Sequence, residues 1–359
     1  MTTVSIPELD TGPVDEIATT SEVSGIKLMP SKCKPYMVPP SIEFEKFLPI
    51  TEFENISFIG EGAYGSVYKV KDKKQDKIVA MKKLKIEKDA GLPVNFTREI
   101  NTLKQLKHDN IANLLGVAVD RDFENIYLVL EYCPYELSKA IDDGLIQSLI
   151  NEAHIKCIMY QLFTGLHFLH EKLVLHRDLT GTNILFTEKG VLKITDFGSC
   201  RHASKEKMTP NMVSRWYRAP ELLFGAENYS SAIDIWSAGC IFAELLNKRP
   251  LFETDSDNNM ISMLVDLLGI PTETNWPGCS ELPLLKEYEL QGHPYNNLRL
   301  MFLEQSSVCM DLLYKLFTYN PIKRITAQEC LVHSYFTENP KACDLKTLVA
   351  LLKKVDTIY

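Results

Sequence analysis

The sequence contains no Cys-x-x-Cys pair, and its nine cysteines are scattered and odd in number. That excludes the usual structural zinc arrangement and predicts buried thiols in a reducing compartment. No run of eighteen apolar residues occurs, so no membrane-spanning helix is expected. The opening "MTTVSIPELDTGPVDEIATT" has neither a basic n-region nor an apolar h-region, so no secretory leader is expected. Positive charge is also in deficit: 39 Lys and Arg stand against 47 Asp and Glu, a net charge of −8. This argues against general binding to nucleic acid. The expectation is a protein with no direct nucleic-acid or membrane partner, resident in the nucleus or the cytoplasm. No basic cluster reads as an import signal, and no internal repeat is visible.

What is present is an ordinary globular composition, 45% hydrophobic and 24% charged, over 359 residues. That length suggests two packed lobes or one domain with extensions. Residues 1–50 are rich in Thr, Ser, Pro and acidic residues, without periodicity, and read as an extension with little fixed structure. From Phe53 to Tyr132 the pattern is strand-like, in "SVYKVKD", "KIVAMKKL" and "IYLVLEY". One helix interrupts it: "PVNFTREINTLKQLKH" opens with Pro93 and spaces Phe96, Ile100, Leu103 and Leu106 helically. Beyond Pro134 the chain is mainly helical. "HIKCIMYQLFTGLHFLHEK" carries a stripe of Ile155, Ile158, Leu162, Leu166 and Leu169, and "AIDIWSAGCIFAELL" reads as a buried helix. Strands first and helices afterwards predict an α+β protein. The expected units are a small antiparallel-sheet lobe over about 51–132 and a helical lobe over about 134–336. A tail follows over 337–359. Its apolar face at Leu345, Leu348, Val349 and Leu352 predicts packing on the larger lobe.

The motif "IGEGAYGSV" spaces Gly60, Gly62 and Gly65 as G-x-G-x-x-G. A dinucleotide-binding loop of that spacing opens a helix. Here a second strand follows, which discards the oxidoreductase reading and leaves a glycine loop whose backbone approaches phosphates. Lys82 follows on a third strand, with Glu99 of "TREI" as its ion-pair partner. Further on stand "VLHRDLTGTNILF" and "TDFGSCR". Phosphoryl transfer needs in-line placement, metal ions against phosphate charge and an acceptor for a hydroxyl proton. Asp178 suits the acceptor role. Asn183 and Asp196 suit Mg²⁺. Glu221 of "APE" is expected to pair with Arg324, and Asp234 to brace the Asp178 loop through backbone hydrogen bonds.

In this order, "GEGAYG", "AMKK", "HRDLTGTN", "DFG" and "WYRAPE" make the chain resemble the eukaryotic protein kinases, from about Thr51 to about Cys343. The segments "GLPVNFTREI" and "RWYRAPELLFGAENYSSAIDIWSAGCIFAELL" resemble the cyclin-dependent group. The resemblance implies a bilobal fold, ATP and Mg²⁺ as cofactors, and Ser/Thr-Pro protein substrates. It also implies a cyclin, a cyclin M-type subunit, docked on the helix at 93–107. It further implies a nucleotide site made by Ile59, Gly60, Glu61, Gly62, Ala63, Tyr64, Gly65, Ser66, Val67, Ala80, Lys82, Glu131, Cys133, Glu136 and Leu185. Within that set Glu131 and Cys133 would meet adenine through their backbone, Ala80 and Leu185 would sandwich the base, and Glu136 would lie near the ribose. Leu130 takes the gatekeeper place. Thr209 matches an activating phosphorylation site, with Arg98, Arg177 and Arg201 as its arginine cage.

The chain also departs from the group. Thr180-Gly181-Thr182 replaces a triplet that normally carries a phosphate-binding lysine at position 180. Losing one charged contact of that kind costs roughly 2–4 kcal/mol of transition-state stabilisation, or about 10²–10³ in rate. The expectation is a slowed but working kinase, with a cyclin-binding scaffold that has lost its chemistry as the rival. Ser199 and Cys200 replace the usual Leu and Ala after "DFG". Met212 and Val213 stand at the pocket for a substrate proline.

Overall fold

A computed structural model describes residues 27–28, 36–37, 47–62, 65–84, 94–121, 125–142, 144–203, 208, 214–288 and 290–356. The chain divides into two compact units, one of residues 1–107 with 112–132, the other of residues 108–111 with 133–359. Most of the extension expected over residues 1–50 lies outside the described residues. Within it β1 (Lys27–Leu28) and β2 (Tyr36–Met37) pair antiparallel.

The first unit is built on a six-stranded sheet. Its strands are β3 (Leu48–Pro49), β4 (Phe53–Gly62), β5 (Gly65–Asp72) and β6 (Lys77–Leu84), then β7 (Leu114–Val119) and β8 (Ile126–Glu131). Their spatial order is β3-β7-β8-β6-β5-β4. The sheet is antiparallel except at one edge, where β3 runs parallel to β7. That strand was not anticipated, because two residues are too few to show a period. Side chains alternate between the faces of a strand, and one face buries Phe53, Tyr68, Val70, Val79, Met81, Ala118, Tyr127 and Val129 in a common core. Helix α1 (Val94–Gln105) is the one α-helix among the described residues of this unit and buries Ile100 and Leu103, with Leu106 buried just beyond its end. Pro93 and the Phe96 side chain lie outside the described residues.

The second unit is mainly helical. It holds β9 (Tyr135–Glu136), α2 (Leu137–Asp142), α3 (Gly144–Leu149) and α4 (Glu152–Glu171), then β10 (Val174–Leu175), β11 (Ile184–Phe186), β12 (Leu192–Ile194) and β13 (Arg201–His202). The helices α5 (Pro220–Leu223), α6 (Ala232–Asn247), α7 (Asp257–Leu268), α8 (Leu298–Met301), α9 (Ser307–Leu316), α10 (Ala327–Leu331) and α11 (Leu345–Asp356) follow. Helix α4 starts where Asn151 accepts from the His154 amide at 3.1 Å and the His154 ring accepts from the Asn151 amide at 3.3 Å. Such reciprocal caps satisfy donors that a helix start leaves open. The α4 stripe is buried in full: Ile155, Ile158, Leu162, Leu166 and Leu169. Helix α6 is buried from Ala232 to Leu245, as its largely apolar sequence predicts, and sets the Trp236 ring edge-on to Phe317 at 5.1 Å. Each fully buried large apolar side chain contributes about 1.5–3 kcal/mol, so these two helices anchor the unit.

Helix α11 packs on this unit, beside α2, α3, α4 and β9. Leu348 and Leu352 are buried, as the pattern predicts. Leu345 is 37% exposed instead, and Leu351 takes an inward place that the pattern did not assign. All the described cysteines are free thiols, buried except for Cys343. Among the described residues no helix is long and apolar enough to cross a membrane.

Candidate active site

In the first unit, β4 and β5 form the glycine hairpin, with Gly62 opposite Gly65. Gly65 has φ +152°, and a Cβ there would stand 1.9 Å from the Lys83 carbonyl oxygen. Only glycine closes that turn without pushing β6 away. Ile59, Gly60, Glu61 and Gly62 lie on β4, and Ser66 and Val67 on β5. Ala63 and Tyr64 lie outside the described residues. Val67 is opposite Lys82, and Ala80 lies two residues before Lys82, so the three share one face of the sheet. Leu130 is opposite Ala80, and Glu131 ends β8, where its amide donates to the Asn113 carbonyl and its carboxylate accepts from the Asn113 amide at 2.8 Å.

Lys82 and Glu99 meet as expected. The ammonium donates to Glu99 Oε1 at 2.9 Å, with both side chains more than nine-tenths buried. Taking two charges out of water is costly, and only close pairing makes it tolerable. The pair therefore fixes α1 against β6 and holds the ammonium at one place. Arg98 lies on α1, and its side chain is outside the described residues.

In the second unit, Asp178 lies in a loop fixed from several sides. Asp234, fully inside α6, accepts from the amides of His176 at 3.0 Å and Arg177 at 2.9 Å. Its other contact is the His170 ring, 3.0 Å from Oδ2. Burial works to raise the Asp234 pKa, but the His170 hydrogen bond and charge, the His176 ring and the Arg177 amide outweigh it, so the carboxyl is held below its ordinary value. Asp234 thus remains a charged acceptor inside the protein. Arg177 meanwhile takes φ +70°, a left-handed bend that turns the loop at the residue before Asp178.

Asp178 Oδ1 accepts from the Ser214 amide at 3.1 Å and hydroxyl at 2.9 Å. Asn183 Nδ2 donates to the Asp178 carbonyl at 2.7 Å, which leaves the Asn183 amide oxygen available as a ligand. The Asn183 carbonyl in turn accepts from the Thr195 amide at 3.0 Å, bringing the start of "DFG" against it. Asp196 itself is left-handed, at φ +59°, and its carboxylate accepts from the Gly198 amide. The His176 ring bonds the Thr195 carbonyl at 2.8 Å and meets Phe197 edge-on at 5.3 Å. Two oxygen ligands, one of them a carboxylate, suit Mg²⁺, which keeps waters and binds phosphate alongside one or two protein groups. Among the described residues no cluster of three His, Cys, Asp or Glu is placed for a metal such as zinc.

Thr180 is buried, and its hydroxyl is 2.7 Å from that of Thr182. The one polar atom that replaces the lysine ammonium is therefore shared with a neighbour. Leu185 on β11 is opposite Glu136 on β9, so two expected nucleotide residues lie on one ladder. Cys133, just before β9, is buried. Cys200 is buried, and its thiol donates to the His176 carbonyl at 3.5 Å. Arg177 is 1% exposed, yet its Nε and Nη1 have no partner among the described residues. Burial lowers its pKa first, and the nearby Arg201 charge lowers it further. Thr209, Met212 and Val213 lie outside the described residues. Glu221 and Arg324 close the expected pair in two parallel bonds of 2.8 and 2.9 Å.

Two contributors were not foreseen. Ser214 holds the Asp178 carboxylate, and His170 holds the Asp234 carboxylate. Ser214 had one signal, a hydroxyl directly before "RWYRAPE". His170 had none beyond its place at the end of a helix.

A family profile described as protein kinase domain matches residues 53–336. Among curated proteins, the chain is 43% identical over 312 residues to cyclin-dependent kinase 10 of Homo sapiens, covering 86% of each. It is 44% identical over 298 residues to the Rattus norvegicus protein of the same name, covering 82% of this chain and 83% of that one. It is also 42% identical over 313 residues to cyclin-dependent kinase 11A of Homo sapiens, covering 84% of this chain and 40% of that protein. Among solved structures, a chain of the CAK complex from Chaetomium thermophilum bound to ATP-γ-S matches with a TM-score of 0.75 at 34% identity, over 82% of this chain and 94% of that one.

Proposed function

The chain belongs to the protein kinase family, in its cyclin-dependent branch, and from that premise we propose how its residues divide the work of phosphate transfer. It is a cyclin-dependent serine/threonine protein kinase, and as such it uses ATP. Asp178 orients the substrate hydroxyl and takes its proton. Lys82 engages the α- and β-phosphates, at a position set by Glu99. Asn183 and Asp196 hold Mg²⁺, which when bound offsets the charge on the phosphates. The glycine loop covers the phosphates, Ala80 and Leu185 enclose the base, Glu131 and Cys133 meet adenine by their backbone, and Glu136 meets the ribose.

The observation that carries this reading is the buried Lys82–Glu99 ion pair at 2.9 Å. A pair so costly to bury is kept in kinases because it holds the phosphate-binding ammonium. The Asp178 carboxylate, steadied by Ser214 and by the loop that Asp234 ties down, supports the same reading from the other unit. Thr180 in place of the lysine leaves the transferred phosphate without the cation that the group normally supplies there, and its hydroxyl is paired with that of Thr182. The reading is therefore an active enzyme with a weakened phosphate clamp, acting in cell-cycle or transcription-linked regulation inside the cell, in the nucleus or the cytoplasm.

A cyclin, of the M type, is the partner we assign to the helix region at 93–107, and Ser/Thr-Pro sites are the substrates. Phosphothreonine at Thr209 is the anion we assign to Arg98, Arg177 and Arg201. Arg177 Nε and Nη1, buried and without a hydrogen-bond partner among the described residues, support that assignment, because such donors suit an anion.

The test is transfer of labelled phosphate from ATP to a Ser-Pro peptide by the complex purified from its own cells. Wild type, Asp178→Asn and Thr180→Lys are compared. Asp178→Asn is expected to lose transfer, and Thr180→Lys to gain about tenfold or more. Wild type that transfers no faster than Asp178→Asn, while still holding its cyclin, would overturn the enzyme reading in favour of a scaffold.

A further inference from the structure

Helix α11 lies beyond residue 336, where the kinase-domain match ends. It is nevertheless fastened to the second unit at its start and along its length. Its approach is held by Lys156 of α4, whose side chain is fully buried. The Lys156 ammonium donates to the Pro340 carbonyl at 2.9 Å, contacts the carboxylates of Glu152 at 3.2 Å and Glu338 at 3.8 Å, and stands 4.6 Å from the centre of the Tyr335 ring. The Cys343 amide donates to the Ala153 carbonyl at 3.0 Å. Asp344 then caps the helix, accepting from the Thr347 amide at 2.7 Å.

What α11 packs on is the part of this unit that carries nucleotide residues. It lies beside β9 and α2, which bear Glu136 and Ser138. β9 forms a ladder with β11 that sets Glu136 opposite Leu185. At the turn joining β11 to β12, Gly190 meets the helix directly: a Cβ there would be 2.8 Å from the Leu345 carbonyl oxygen and 2.9 Å from Val349 Cγ2. α2 in turn packs on the 3₁₀ turn Gly181–Asn183, where Ser138 lies against Gly181. One helix thus backs the β9–β11 ladder, its turn, and, through α2, the segment that ends in Asn183.

A two-residue strand such as β9 has little to hold it in register by itself. We propose that α11, through Leu348 and Val349, is a positioning element for ATP: it holds Glu136 and Leu185 in register and so sets nucleotide affinity. This rests on the reading above that Glu136 and Leu185 meet the nucleotide. Loosening α11 moves the nucleotide contacts before it moves the Asp178 loop, which Asp234 fixes from α6. The signature is a raised KM for ATP with kcat and the KM for peptide little changed, the pattern of lost binding rather than lost transition-state contacts.

The experiment uses the full-length kinase purified with its cyclin and compares Leu348→Ala, Leu348→Met, Val349→Ala, Leu264→Ala and Glu136→Ala. Leu264 is an equally buried residue of α7 and controls for general loosening. Leu348→Ala is expected to raise the KM for ATP about threefold to tenfold with kcat within about twofold of wild type. Val349→Ala, on the partly exposed side of the helix, gives a smaller rise and covers the case in which Leu348→Ala does not fold. Leu348→Met restores wild-type behaviour, and Leu264→Ala leaves the KM for ATP unchanged. The proposal is overturned if Leu264→Ala raises the KM for ATP as much as the α11 variants do, or if those variants lower only the melting temperature. Glu136→Ala separates the two layers. If it raises the KM for ATP while the α11 variants do not, the tail helix has no such role. If it leaves the KM for ATP unmoved, the nucleotide reading of the ladder falls first and takes the proposal with it.

Discussion

Arg324 and Arg177 are both buried in the second unit, at 4% and 1% exposure, and are treated in opposite ways. Arg324 is saturated. Its guanidinium holds both oxygens of Glu221, donates to the carbonyls of Thr318, Ala232 and Tyr319, and lies 5.1 Å from the Trp236 ring centre. Arg177 has the Tyr229 ring 5.8 Å away and the Arg201 charge close enough to lower its pKa, while its Nε and Nη1 are orphaned among the described residues. A buried charge is tolerated only when it is paired, neutralised or kept for a ligand. Arg324 is part of the scaffold. Arg177 is the guanidinium that we assign to phosphothreonine, and its Nε and Nη1 fit that assignment.

The same substitution at both positions separates these roles, and the larger stability effect belongs to the scaffold. Arg324→Met keeps most of the volume but strands the Glu221 carboxylate, itself 2% exposed, and leaves three carbonyls without their donor. Breaking one side of a buried pair costs about 3–5 kcal/mol. Urea unfolding should show that loss as a lowered midpoint with an unchanged slope. A change below about 1 kcal/mol would mean that the pair is ornamental and that the contrast with Arg177 has no energetic content.

Glu244 of α6 shows a third solution. It is 5% exposed and accepts from the Tyr217 hydroxyl at 2.9 Å. Burial drives its pKa up and the Asp142 charge adds to that, while the Tyr217 bond opposes them, leaving it at about 7. The folded-state value is raised above that of the unfolded chain. The stability contributed is therefore complete below the unfolded value of about 4.3 and is lost as pH rises through about 7. The loss amounts to roughly 3–4 kcal/mol, from a shift worth about 1.4 kcal/mol per pH unit. Glu244→Gln stays neutral throughout, so its stability between pH 5 and 8 should be flatter than that of wild type. Parallel curves for the two proteins would show that Glu244 is ionised in the fold at all these pH values.

These roles differ in how far they could be read from residue order. Glu221 and Arg324 are 103 positions apart, yet each sits in a short motif whose neighbours mark it, and the pair was legible. So were Lys82 with Glu99, and Asp234 under the Asp178 loop, because few residue types can perform those tasks at those spacings. The long stripes of α4 and α6 were legible for another reason, since fifteen or more residues average out local exceptions. What escaped was short or small. β3 has two residues and no period, Ser214 and His170 act through one polar atom each, and the inward turn of Leu351 depends on where α11 meets its unit. Nothing in a local pattern distinguishes the saturated Arg324 from the orphaned Arg177. That difference exists only once the fold has set which described acceptors surround each guanidinium.

Arg177→Met is therefore the prediction with the smallest effect on stability and the most to say about function. The substitution leaves the backbone amide that Asp234 accepts, so the loop keeps its brace. It removes a charge that burial already disfavours and that has no partner on two of its nitrogens among the described residues. Replacing such a charge with an apolar side chain of similar volume is neutral or stabilising, and the unphosphorylated protein should stay within about 1 kcal/mol of wild type or gain slightly. Phosphorylation at Thr209 should then raise activity far less than in wild type, because the anion has lost one of its arginines. The two readouts must be taken on the same preparations, by urea unfolding without phosphate on Thr209 and by peptide phosphorylation with it. A large loss of stability would mean that Arg177 has partners of its own and belongs with Arg324. An undiminished response to phosphorylation would mean that the Arg177 guanidinium does not serve the Thr209 phosphate.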